Sequence, residues 1–233
     1  MIDLSQLLAK SINLSPDFKQ YLSTCRRKTF KQHEPILYQS EVPRHGYYLK
    51  RGVVKSYDIS KNGDEKIVYL NSPGEFIPPE WVFYKSSVSL YYCSAFTDCE
   101  VYIIDRDVIQ KLINTDTLLT KKLFNRYIGL YVGAVQQVNA LEQSKSANKI
   151  LYSAHSLIRK FGKSIDKDKM LIDLRLTHQD IASMTGLTRE TTSVELNHLK
   201  RQGVISYKDQ HYTINMKKLQ ALFGSDDFIK LKN

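Results

Sequence analysis

The chain has 233 residues, 42% of them hydrophobic and 25% charged, a balance that excludes a largely disordered polymer and suits one large domain or two ordinary ones. Its formal net charge is +10, unevenly placed: residues 143–233 carry 16 Lys and Arg against 9 Asp and Glu, whereas residues 1–142 carry 18 against 15. The positive excess therefore belongs mainly to the C-terminal part, as contact there with a polyanion such as DNA requires.

At the N-terminus, MIDLSQLLAK has neither the basic start nor the long apolar run of a secretory signal. No later stretch reaches the ~18 uninterrupted apolar residues of a membrane span. A cytoplasmic protein without a membrane partner is expected. Cys25, Cys93 and Cys99 are widely spaced with no C-x-x-C, and the histidines form no H-x-x-x-H pair, so no disulfide framework, metal or cofactor is expected.

From Thr29 to Asp105 the sequence reads as about eight short β-strands. Runs such as Val53–Tyr57 and Lys66–Leu70 are rich in aromatic and β-branched residues, and Arg51-Gly52, Asn62-Gly63-Asp64 and Pro73-Gly74 punctuate them. Asn62-Gly63 is a strong hairpin signal, because both residues tolerate positive φ. Val88–Phe96 and Glu100–Ile104 complete a small antiparallel barrel or roll.

A long helix is predicted from about Asp116 to Gln143. Leu123, Tyr127, Leu130, Ala134, Gln137 and Leu141 follow one another at spacings of four and three, the seam of a coiled coil. A second stripe, Phe124, Ile128, Tyr131, Val135 and Val138, runs beside it. Two stripes need two surfaces, and the first is assigned to a homodimer interface. A helix buried in one large monomeric core is the alternative. Gln143–Asn148 then breaks the pattern as a hinge, and Ile150–Phe161 resumes it in a helix that Gly162 could end.

The most informative stretch runs from Leu171 to Ile214. Thr177 can cap a first helix with Asp180 three residues later, and Ile181, Ala182 and Met184 form its apolar face. Gly186 stands where a tight turn needs a residue without a Cβ. Thr188 can cap a second helix with Leu196 and Leu199 facing inward, and Gly203 ends it. Val204–Tyr207 and Tyr212–Ile214 form a hairpin around Lys208-Asp209-Gln210. Helix, turn, helix and wing in this order place the second helix in a DNA major groove, its first residues against base edges. Arg189 offers a fork to guanine, Glu190 can accept from cytosine, and Thr177, Thr188, Thr191, Ser193 and Asn197 are candidate phosphate or base contacts.

Leu176–Ile205, with Gly186-Leu187-Thr188-Arg189-Glu190-Thr191 followed by Leu196, Leu199 and Gly203-Val204-Ile205, resembles the Crp/Fnr regulators. Gly52, Gly63 and Pro73-Gly74-Glu75-Phe76 sit where that family places its turn glycines. The resemblance implies an α+β protein: an antiparallel, cyclic-nucleotide-binding-like β-roll over residues 1–115, a dimerisation helix over 116–143, and a winged helix-turn-helix over 144–233. It implies a homodimeric transcription regulator on a roughly palindromic double-stranded DNA site, with RNA polymerase a further partner it allows. Arg189 and Glu190 match the family's base readers. Its third reader, an arginine, is Val194 here, able to touch a thymine methyl but not to donate.

Cyclic-nucleotide-binding members place an arginine after the Gly-Glu segment to pair with the phosphate. From Phe76 to Asp105 this chain has no arginine and one lysine, Lys85, so no cyclic-nucleotide binding is expected. Glu80 is the residue that could correspond to the family's ribose-binding glutamate. With Trp81, Phe83, Tyr91 and Tyr92 it marks a candidate pocket for an apolar or aromatic effector, whose identity the residues do not reveal. Nothing basic near Cys93 in sequence would activate its thiol for redox sensing. A non-specific or replication-type winged-helix protein is the alternative function. Without a P-loop, GxSxG, HExxH or paired Cys/His constellation, no catalytic residues and no enzyme are expected.

Overall fold

The computed structural model describes residues 15–223, which divide into two compact units, one running through Ile128 and the other beginning at Gly129. The division falls inside the long helix. Each unit has its own core.

In the first unit, helix α1 (Pro16–Thr24) precedes eight strands: β1 (Arg27–Phe30), β2 (Pro35–Leu37), β3 (Gly46–Arg51), β4 (Val54–Ile59), β5 (Glu65–Asn71), β6 (Phe76–Ile77), β7 (Tyr92–Ala95) and β8 (Cys99–Ile104). A short helix, α2 (Pro79–Val82), follows β6, and α3 (Arg106–Thr115) and the start of α4 (Thr117–Glu142) follow β8. The strands form two antiparallel four-stranded sheets, ordered β1-β8-β3-β6 and β2-β7-β4-β5. The two-residue period of a strand explains the layering. On β3, Leu49 joins Phe30, Val54, Ile77, Cys93 and Val101 in one apolar core, while its neighbour Tyr48 packs with Phe18, Phe76, Trp81, Ile104, Leu119 and Leu123 in a second core that the helices share.

Two turns behave as their residues require. Asn62-Gly63 lies in the β4–β5 hairpin, with Gly63 at φ +85°. Gly52 stands at φ +93° between β3 and β4, and a Cβ there would lie 2.3 Å from the Asp98 carbonyl oxygen, so only glycine fits. The β7 segment is shorter than expected: of Val88–Phe96, Tyr92–Ala95 pairs as strand.

The first half of α4 departs from the seam expected of it. Asp116 caps the helix by accepting from the Leu119 N–H at 2.9 Å, and Leu119, Leu123 and Tyr127 then pack on the chain's own roll. Leu123 and Tyr127 therefore serve the monomer core and not a dimer seam. The reason is an anchor between them. Arg126 pairs with the buried carboxylate of Glu75 at 2.5 Å and donates to Ser72 Oγ at 2.8 Å, which fixes the rotation of the helix. The apolar row left open is the neighbouring stripe, Phe124 (64% exposed), Ile128 (48%), Tyr131 (66%) and Val138 (53%), and Leu141, the last residue of the first stripe, is exposed as well.

In the second unit, Gln137 of α4 donates to the Met184 carbonyl at 2.8 Å, so this seam residue too is engaged within the monomer. Leu130 is half-buried and Ala134 exposed. After a break at Gln143–Lys145, helix α5 (Ser146–Phe161) leads to β9 (Gly162–Asp166), β10 (Lys169–Ile172), helices α6 (His178–Thr185) and α7 (Arg189–Arg201), strands β11 (Ile205–Lys208) and β12 (His211–Asn215), and α8 (Met216–Phe223). The wing is broader than the expected hairpin: its antiparallel sheet has four strands, β11-β12-β10-β9. Ile150, Ala154, Leu157, Ile172, Ile181, Leu196, Leu199, Ile205 and Ile214 fill the core beneath the helices.

Candidate nucleic-acid interface

The two helices of the head are stopped and started by their own side chains. Thr177 Oγ1 accepts from the Asp180 N–H at 3.1 Å while Asp180 Oδ2 accepts from the Thr177 N–H at 2.7 Å, a complete capping box for α6. Gly186 ends α6 at φ +67°, in the left-handed region where a Cβ is strained. Two residues on, Thr188 Oγ1 accepts from the Thr191 N–H at 3.1 Å and starts α7. At its far end Lys218 donates from Nζ to the Gln202 carbonyl at 2.8 Å, and Lys200 and Arg201 complement the negative end of the helix dipole.

This local chemistry sorts the expected DNA contacts into two groups. Thr177 and Thr188 are engaged as caps, and Thr188 also donates to Thr191 Oγ1 at 3.0 Å. Ser193 Oγ shares a 2.8 Å hydrogen bond with His178 Nδ1, and Asn197 Oδ1 accepts from the Tyr207 hydroxyl at 3.0 Å. Arg189, Glu190 and Val194 are exposed on the first two turns of α7, with no ion pair or side-chain hydrogen bond to them among the described residues. Glu190 and Val194, four residues apart, share the face opposite the buried Thr192, Leu196 and Leu199, and Arg189 stands exposed at the first position of the helix.

His178 and Tyr207 were not singled out in the sequence. They join α6, α7 and the wing. Their rings meet edge to face at 5.4 Å, and Lys200 Nζ lies 4.6 Å from the Tyr207 ring. Burial, and then the charge of Arg189, hold the His178 imidazole below its ordinary value. No spacing rule could reveal this pair, because its members meet only across the folded head. The wing tip is a two-residue turn with positive φ at both Asp209 (50°) and Gln210 (65°), the geometry that matches the twist of a hairpin.

The candidate effector residues in the roll are not all brought together. Trp81 and Phe83 belong to the helix-covered core: Trp81 is 7% exposed, and the Phe83 ring packs edge-on against Phe76 and Tyr127. Tyr92 belongs to β7 in the other sheet, stacked on Tyr57 at 5.4 Å beside the exposed Tyr38. Its strand neighbour Cys93 points into the inter-sheet core. Glu80 accepts from the Leu90 N–H at 3.0 Å and braces the loop before β7. Trp81 and Phe83 are therefore separated from Tyr92, since alternation along β7 sends Tyr92 to the opposite face from the core. Burial pushes the Cys93 thiol up to about 12, far from the thiolate that redox sensing needs.

The comparisons with known proteins fall on the same two units. A cyclic nucleotide-binding domain model matches residues 27–116, and a Crp-like helix-turn-helix domain model matches residues 151–222. The chain belongs to the Crp/Fnr superfamily of transcription regulators. Among the relatives of this Crp/Fnr regulator, the HTH-type transcriptional regulator ArcR of Staphylococcus epidermidis is 24% identical, the match spanning 91% of this chain and 97% of ArcR. FixK2 from Bradyrhizobium japonicum shares the fold with a TM-score of 0.69 at 21% identity, over 85% of this chain and 97% of FixK2. A CooA variant from Carboxydothermus hydrogenoformans shares it with a TM-score of 0.74 at 18% identity, over 93% and 95% of the two chains. No helix of the described residues is long and apolar enough to cross a membrane.

Proposed function

We propose that this regulator binds a two-fold-related DNA site as a homodimer, each head reading a half-site with Arg189, Glu190 and Val194 at the start of α7. The observation that carries the reading is the state of those three side chains: exposed and, among the described residues, without an ion pair or side-chain hydrogen bond, while the threonines and serine around them are held by caps and by His178. Arginine at such a position forks onto guanine, glutamate accepts from cytosine N4, and valine meets a thymine methyl. The dimer would use the open stripe Phe124, Ile128, Tyr131 and Val138, with the half-buried Val135 between them, since a row this apolar on a long helix pairs naturally with its own copy. A cytoplasmic location follows from the partner.

The roll does not suit a cyclic phosphate. Arg126 is already committed to Glu75, whose carboxylate also receives Ser72 Oγ at 2.7 Å. Arg106, the first arginine after β6, lies between the rings of Trp81 (4.4 Å) and Tyr84 (4.2 Å). A buried phosphate without a cation of its own is costly. Regulation, if by a small molecule, therefore uses a different chemistry. Selection of bound duplexes from a random pool, with and without cyclic nucleotide, tests both parts. The expected result is a palindrome with half-site centres about one helical turn apart, unchanged by the nucleotide. Recovery of random sequence would favour a non-specific winged-helix protein instead.

A further inference from the structure

Asn197 is exposed on the third turn of α7, on the side of the helix that faces the wing, and its amide is engaged there. The Tyr207 hydroxyl on β11 donates to its Oδ1 at 3.0 Å. The Tyr207 ring is itself held on several sides: edge-on to His178 at 5.4 Å, tilted against Tyr212 at 5.4 Å, and under the Lys200 ammonium at 4.6 Å. His178 is fixed in turn by its bond to Ser193. The chain of contacts gives the phenol one direction to point.

An asparagine amide has an accepting edge and a donating edge. Left free beside a base, it can use both at once on adenine, accepting from N6 and donating to N7. With Oδ1 turned back to the wing, the NH2 is the edge left for a partner, and the adenine contact would require Oδ1 to leave Tyr207 or share its lone pairs. We infer that Tyr207 sets the polarity of Asn197, so that Asn197 meets DNA as a donor and takes a hydrogen-bond acceptor, either a phosphate oxygen or an acceptor on a base edge. Tyr207 is the positioning residue and Asn197 the contact. This rests on the DNA-binding function proposed above.

The test is a double-mutant cycle in the full-length protein, using a duplex obtained by selection. Tyr207→Phe keeps every ring contact and removes the hydroxyl, and Asn197→Ala removes the amide from an exposed position. Each should weaken binding about two- to tenfold, the worth of one neutral hydrogen bond. Together they should weaken it no more than Asn197→Ala alone, because the hydroxyl acts only through the amide. Asn197→Asp, which keeps an acceptor and loses the donors, should bind no better than Asn197→Ala. Single methylphosphonate linkages and single base-pair changes separate the two sources of acceptor: one linkage, or one base pair, should stop mattering in Asn197→Ala. The inference is overturned if the two losses multiply, if Asn197→Ala binds as tightly as wild type, or if Asn197→Asp retains full affinity. If the wild-type protein selects no duplex at all, the DNA-reading assignment fails first, and the two failures are thereby told apart.

Discussion

The Arg126 guanidinium and the Glu75 carboxylate meet at 2.5 Å beneath the roll, and that ion pair orients the long helix. Glu75 is 2% exposed and also draws a hydrogen bond from Tyr69, and Ser72 bridges the two charged groups. Removing one member leaves the other charge buried. Arg126→Met or Glu75→Gln should therefore destabilise the roll by about 3–5 kcal/mol, whereas Glu75→Leu with Arg126→Met should recover much of the loss. Urea unfolding of the three variants checks this.

The two stripes of α4 give opposite expectations. Leu123→Ala opens a cavity in the roll's core and should cost about 2–5 kcal/mol of stability without changing the oligomeric state. Ile128→Glu with Tyr131→Glu should leave the melting temperature of the monomer nearly unchanged and dissociate the dimer. Sedimentation alongside thermal melting separates the cases, and an intact dimer in the double glutamate variant would place the interface elsewhere.

His155 supplies a pH dependence. Burial, and then the nearby Arg159 charge, lower its pKa from 6.5 to about 4. The unfolded chain thus binds a proton between those values that the folded chain refuses, so stability rises with pH across the window. The contribution is fully present above pH 6.5, is lost as the pH falls toward 4, and totals on the order of 3 kcal/mol. Denaturant titrations should show that slope in the wild type and a shallower one in His155→Leu.

How much of this was legible in the sequence depends on how local each signal is. The Thr177–Asp180 capping box, the left-handed Gly186 and the Thr188 cap are set by residues three or fewer apart, and all three stand as their spacing implies. Helix α3 also carries a readable signal that went unused: Asp105 accepts from the Asp107 and Val108 N–H groups, and Ile109 is buried one turn into the helix. Strand β9 carries almost none. Its residues after Gly162 are exposed, so no alternation marks them, and only pairing with β10 makes them a strand. The expectation that Leu123, Tyr127 and Gln137 belong to a dimer seam failed for a related reason. Both stripes of α4 are apolar, and which one faces the roll is decided by a carboxylate at Glu75, 51 residues from Arg126 in sequence.

Val194 offers a gain-of-function test. It is 67% exposed at the position where relatives of this superfamily are expected to carry an arginine. Val194→Arg should add a preference for G·C at one base pair of the selected site, worth about 1–3 kcal/mol, without altering stability. Binding to a panel of single-pair variants reads it directly.

The most direct test of base reading by this head is the affinity of Arg189→Ala for the selected duplex and for random duplex, measured at the same salt concentration. The expected result is a loss of about 1–3 kcal/mol on the selected site, confined to one G·C pair, with random DNA bound much as before. An equal loss on both would contradict it, and would make Arg189 a phosphate contact instead of a reader.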